Sequence, residues 1–115
     1  MAATSQISST FDISVTMDSA DTYTIANPGR TFRIVQISAY NAGATPNTTV
    51  TNGSADIAAT QATATNAWKL LALNEANCNL TAAQNVVVTN ANASTTKLII
   101  TCVATDGGQA LTVTT

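Results

Sequence analysis

From Phe11 to Met17 apolar and polar residues alternate without a break. Phe11, Ile13, Val15 and Met17 form one set; Asp12, Ser14 and Thr16 form the other. A period of two places the sets on opposite faces of a half-buried strand. The rest of the chain repeats this texture in short runs, each cut by a turn signal. Asp18 to Asp21 is turn chemistry, and residues 22–26 (TYTIA) are rich in strand formers. Asn27, Pro28, Gly29 and Arg30 spell a tight turn, because Pro presets φ and Gly accepts a positive one. Residues 31–40 (TFRIVQISAY) read as a longer strand. Its apolar residues Phe32, Ile34, Val35 and Ile37 occupy both faces, which implies a second covering layer.

Residues 41–47 read as a loop. Two short strands are expected between 48 and 67, around the Asn52-Gly53 turn signal. Residues 68–73 (WKLLAL) favour helix by propensity, yet six residues between Asn-rich segments are too few for one, so a strand is expected. After a loop at 74–79, Val86 to Thr89 is a β-branched strand. Residues 95–105 (TTKLIITCVAT) form a strong one, with Leu98, Ile100 and Cys102 on one face and Ile99, Thr101 and Val103 on the other. Asp106, Gly107 and Gly108 predict a hairpin, after which residues 109–114 close the chain with Leu111 and Val113 inward.

About eight short strands with no long helix predict an all-β fold, a single antiparallel sandwich of jelly-roll type. A seven-stranded immunoglobulin-like sandwich is the alternative. It would place Trp between two Cys, whereas Trp68 precedes both Cys78 and Cys102. The expected organisation is an N-terminal arm over residues 1–10 and a sandwich over 11–115. The opening MAATSQISST has neither a basic start nor an apolar stretch, so it does not read as a signal peptide.

Composition narrows the function. Thr (22), Ala (21), Asn (11) and Ser (8) dominate the 115 residues, and only 9% are charged, against about 25% in an ordinary soluble domain. Four cations and a net charge of −2 argue against nucleic acid as a partner. No apolar run is long enough for a helical membrane span. Outer strand positions carry Thr, Ser, Asn, Gln and Ala where Lys and Glu usually guard a sheet. Such short, neutral side chains lose little freedom when buried, so they suit contact with another protein.

Chemistry-bearing residues are sparse. There is no His, so neither a Cys nucleophile nor a zinc site has its usual partner. Cys78 and Cys102 are expected as free thiols, Cys102 in the core. Asp18, Asp21, Asp56 and Asp106 lack the spacing of a calcium loop, and nothing brings Asp12 and Glu75 together as a glycosidase pair. No enzyme, metal or cofactor is expected. The four sequons at Asn47, Asn52, Asn79 and Asn92 match what chance gives with eleven Asn and 30 Ser/Thr. Trp68 is expected in the core, which has few large side chains. Tyr23 and Tyr40, or an exposed Trp68, would instead offer a surface for stacking on sugar. Arg30 and Arg33 are expected at a protein interface, where Arg forks to carboxylates. The outer apolar residues Val35, Ile37 and Ile99 are further candidates for a subunit contact.

The profile resembles the small decoration (cement) proteins of tailed-bacteriophage capsids, including those of cyanophages. The resemblance lies in the polar start MAATSQISST, in TFRIVQISAYNAGATPNTTVT, and in LTAAQNVVVTNAN followed by TTKLIITCVAT. It implies a structural virion protein on the outer capsid surface, with the major capsid protein as partner. It further implies homotrimers that clamp neighbouring subunits of an expanded head. The alternative is a carbohydrate- or receptor-binding tip module of a phage fibre or appendage.

Overall fold

The computed structural model describes residues 3–7, 10–27, 29–42, 47–62, 66–91, 95–105 and 109–113; for 3–7, 47, 62 and 109–113 it describes the backbone alone. In chain order the strands are β1 (Ala3–Ile7), β2 (Thr10–Met17), β3 (Asp21–Ile25), β4 (Phe32–Asn41), β5 (Asn47–Thr51), β6 (Asp56–Ala62), β7 (Ala67–Leu70), β8 (Asn79–Leu80), β9 (Val86–Asn90), β10 (Thr96–Ala104) and β11 (Gln109–Val113). A single 3₁₀ turn, Glu75–Asn77, separates β7 from β8.

The front sheet has the order β2-β10-β4-β7, with β8 also on β4, and the back sheet β3-β9-β5-β6. Every pairing is antiparallel. The chain crosses between sheets at β2 to β3, β3 to β4 and β4 to β5, returns to the front for β7, and crosses again for β9 and β10. That is the strand order of a jelly roll, not of the immunoglobulin-like alternative. The core lies between the sheets. Met17, Ile34, Ile37, Leu98, Ile100 and Cys102 come from the front, and Val50, Ile57, Val86 and Val88 from the back, all almost or wholly inaccessible.

The alternation read in residues 10–17 and 96–104 is the observed burial pattern of β2 and β10. On β4 the pattern slips. Thr101 pairs with Gln36, but the next residue of β10, Cys102, pairs with Ile34, so Val35 is skipped by a β-bulge. The extra residue returns Ile34 and Ile37 to the same face, and both are core residues. Two-sided apolarity therefore reflects a bulge rather than a second covering layer, and Ile37 is not an outer residue. Val35, the bulged residue, is the exposed one.

Asn52 and Gly53 make the expected turn. Asn52 Oδ1 accepts from the N–H groups of Ser54 and Ala55 at 3.1 and 2.9 Å, and Gly53 takes φ +97°. Gly29 likewise sits at φ +98°; its neighbour Pro28 lies outside the described residues. The expected hairpin after β10 does not form. β11 pairs with β1, Ala3 opposite Val113 and Ile7 opposite Gln109, instead of folding back on β10. Asp106, Gly107 and Gly108, and the side chains of Leu111 and Val113, lie outside the described residues.

Candidate interaction surface

The two outer faces of the sandwich differ. On the back sheet Thr22 pairs with Thr89 and Thr89 with Thr49. The hydroxyls of Thr49 and Thr60 bond at 2.6 Å. A row of four threonines thus crosses four strands. It is neutral and carries no large apolar side chain.

The front sheet's outer face is built otherwise. Register aligns Thr16, Lys97, Tyr40 and Trp68 in one row, and Ser14, Ile99, Ser38 and Leu70 in the next. Trp68 is 50% exposed and Leu70 62%; Val35 and Ile99 are exposed beside them. All four of the large apolar side chains exposed among the described residues thus lie on the front sheet, three of them in these rows and Val35 at the bulge of β4. The Tyr40 and Trp68 rings lie 5.5 Å apart, and Lys97 Nζ stands 6.0 Å from the Tyr40 ring centre. Tyr40 also donates to Asn66 Oδ1 at 3.4 Å. Trp, Tyr and a cation packed together on an open face have the composition of an interface anchor.

The expectation for Trp68 is corrected here. β7 is a short edge strand, and pairing Trp68 with Tyr40 puts it at an outer register position. Aliphatic side chains from both sheets fill the core without it.

The expected interface residues separate. Val35 and Ile99 are on the exposed front face. Ile37 is wholly buried and cannot touch a partner. Arg33 forms an ion pair with Glu75, so its charge is met within the chain. Arg30 lies at the sandwich's open side, its guanidinium 5.1 Å from the Phe11 ring centre. Phe11 in turn meets Phe32 edge to face at 5.4 Å. With Ile13, Ile25 and Val86 these rings line an apolar cleft of about 230 Å³, and Ala26, Asn27 and Arg30 complete its wall. Asn27 fixes that wall. Its Nδ2 donates to the carbonyls of Arg30, Thr81 and Gln84 at 2.7–3.1 Å, and its Oδ1 accepts from the N–H of Arg30 at 2.8 Å.

Sequence reading misses the cleft, and it names the front-face residues without bringing them together. The lone Trp68 next to Lys69 is the available signal; its exposure and its pairing with Tyr40 are not legible in the sequence.

The thiols are poorly placed for chemistry. Cys78 and Cys102 are free and buried. Burial pushes Cys78 up, against the lowering effect of Arg33. It pushes Cys102 up to about 12, with a smaller contribution from Asp12. Among the described residues no three His, Cys, Asp or Glu side chains gather as a metal site.

The fold has a counterpart in a phage capsid. A chain in the acidic stable capsid structure of Helicobacter pylori bacteriophage KHP30 aligns over 100% of both chains, with a TM-score of 0.57 and 14% sequence identity. At that identity the likeness is one of fold. No known protein family matches the sequence, and neither does any curated protein.

Proposed function

We propose that this chain is a structural, non-catalytic virion protein that decorates an expanded phage capsid on its outer surface and bridges neighbouring major capsid subunits. The observation that carries the reading is the front face. Trp68, Tyr40, Leu70 and Ile99 form an exposed apolar and aromatic surface on a sandwich with few charges to keep it in solution. The full-length likeness to a chain of comparable length from a phage capsid supports the same reading. Nothing extends it to a cyanophage in particular.

The implied mechanism is mass action. A domain that binds only the expanded lattice stabilises that lattice by the free energy of binding. The front face would seat on capsid subunits. Residues 1–10, as an arm, would reach a neighbour, and three copies would cluster at one site.

The test uses particles of the phage that encodes the chain. Stripping it with mild denaturant should lower the temperature at which packaged DNA escapes. Adding back the purified chain should restore it, and the Trp68→Ala chain should not. Particles that lack the chain, or that are equally heat-resistant without it, overturn the reading.

The exposure of Trp68 favours one second reading, a carbohydrate- or receptor-binding tip module. Stacking of a sugar on Trp68 would quench its fluorescence in a glycan titration. An unchanged signal across the glycan panel would dismiss this reading.

A further inference from the structure

Among the described residues, two features of this sandwich have no partner. The first is an edge. Among the described residues, strand β2 is hydrogen-bonded on one side only, to β10. Its eight residues, TFDISVTM, carry one charge, Asp12, and no proline. Sheet edges are usually shortened, charged or covered against further strand addition. The β6 edge of the back sheet shows such a cover. The Gln61 side chain bonds both the N–H and the carbonyl of Ala72, at 2.8 and 2.9 Å, and the Asn74 N–H bonds the Ile57 carbonyl at 2.7 Å. Nothing comparable protects β2 among the described residues. The apolar cleft opens beside it, and its inward-facing Phe11 and Ile13 remain only half-buried.

The second feature is the terminal ribbon. β1 and β11 pair with each other and contact no other element extensively. An isolated two-stranded ribbon is marginally stable in water at best. Register aligns Ala3 with Val113, Ser5 with Leu111 and Ile7 with Gln109. The apolar positions 3, 7, 111 and 113 therefore share one face of the ribbon. Neither of its segments, ATSQI and QALTV, contains a charge. Such a strand can enter an apolar cleft without stranding a charge there.

We propose that the ribbon of one copy adds to the β2 edge of a second copy, extending that copy's front sheet and covering its cleft. This is strand addition, in which backbone hydrogen bonds supply affinity and a pocket for alternate side chains supplies selectivity. The ribbon fits within the edge: five residues span about 17 Å and eight about 26 Å, at ~3.3 Å per residue. Ribbon and edge are different surfaces, so the contact is heterologous and must either close into a ring or run on. A ring of three matches the trimer proposed above. The inference rests on the self-associating part of that reading and not on capsid binding.

Light scattering on full-length chains tests it. The wild type should have a mass that is a multiple of 11.7 kDa. Ile13→Asp puts a charge in the cleft and Leu111→Asp puts one on the ribbon. Each alone should be a folded monomer, with self-association weakened by about a hundredfold or more. Mixed in equal amounts, they should form a 1:1 dimer, because the intact ribbon of the first meets the intact edge of the second. If Ile13→Asp fails to fold by circular dichroism, the double substitution Ser14→Lys with Thr16→Lys charges the edge from outside the core and takes its place. A monomeric wild type, single variants of wild-type mass, or a mixture that stays monomeric overturns the proposal. Particle binding separates the two readings. A monomer that still binds capsids sinks the ribbon contact alone, and a multimer that ignores them sinks the capsid reading alone.

Discussion

Tyr40 and Trp68 face each other in register on the front sheet, their ring centres 5.5 Å apart and their planes inclined at 41°. Trp68 sits on the edge strand β7 in contact with solvent, so it contributes little to the core. Trp68→Ala should change unfolding free energy by no more than about 0.5 kcal/mol, as for other exposed positions. Its effect should fall on association instead. A central aromatic anchor is worth about 2 kcal/mol or more, so attachment to capsids should weaken by at least about thirtyfold. Urea unfolding and a particle-binding isotherm on the same variant separate the two. A large stability loss would mean that Trp68 is a core residue after all.

Asn27 should be a structural keystone. Its side-chain amide ties the loop at 27–30 to the loop at 81–85, through the carbonyls of Arg30, Thr81 and Gln84, while its own N–H bonds Asn85 Oδ1 at 2.9 Å. Replacing it with Ala leaves partly buried backbone groups without partners. At about 1 kcal/mol for each bond not replaced by water, Asn27→Ala should cost about 2–3 kcal/mol. Chemical denaturation measures the loss. Because the same loop forms the cleft wall, a cost under about 0.5 kcal/mol would mean that water takes over these bonds and that the wall is loose.

Most of the fold was legible because strands announce themselves by period and turns by composition. The alternation at Phe11–Met17 and at Leu98–Cys102 is the observed inward and outward order. Asn52 and Gly53 turn the chain where expected. The failures have physical causes. A bulge adds one residue and inverts the parity beyond it, so Ile37, expected outside with Val35, faces inward while Val35 stays exposed. Size argues for Trp68 in the core, but burial follows register, and its partner Tyr40 lies at an outer position. The destination of β11 could not be read, since local turn chemistry at 106–108 says nothing about pairing with a strand a hundred residues earlier. The front-face site was half legible. The sequence singles out its residues one by one, and only pairing across β10, β4 and β7 brings them into adjacent rows.

Thr48 carries a buried flaw. It is wholly inaccessible, and its hydroxyl has no hydrogen-bond partner among the described residues. Its neighbours are well supplied. Opposite it in register is Asn90, which accepts from Thr96 at 3.4 Å and donates to the Ser19 carbonyl at 3.2 Å; Asn41 donates to Thr96 at 2.6 Å. An unpaired buried hydroxyl costs about 1–3 kcal/mol. Thr48→Val keeps the branched shape and removes the hydroxyl, so it should stabilise the fold by about 1 kcal/mol. Thermal unfolding of the two chains side by side measures this. A destabilised valine variant would show that the hydroxyl is satisfied.

Cys102 makes the fold sensitive to alkali. Burial pushes its thiol up from 9.0 to about 12, and the Asp12 carboxylate adds to the shift. The folded state therefore holds this proton where the unfolded chain has released it. For a raised value the stabilising effect is complete below pH 9.0 and is lost as pH rises toward about 12. Over that window the contribution falls by about 1.4 kcal/mol per pH unit. Other groups titrate there too, so the measurement is a difference. Cys102→Ala loses packing at every pH but has no thiol to titrate. Its deficit relative to the wild type should be constant up to about pH 9 and then shrink steadily. Urea unfolding of both chains under reductant, from neutral to strongly alkaline pH, gives that difference directly. Two profiles that stay parallel throughout would place the thiol at its ordinary value and in contact with water.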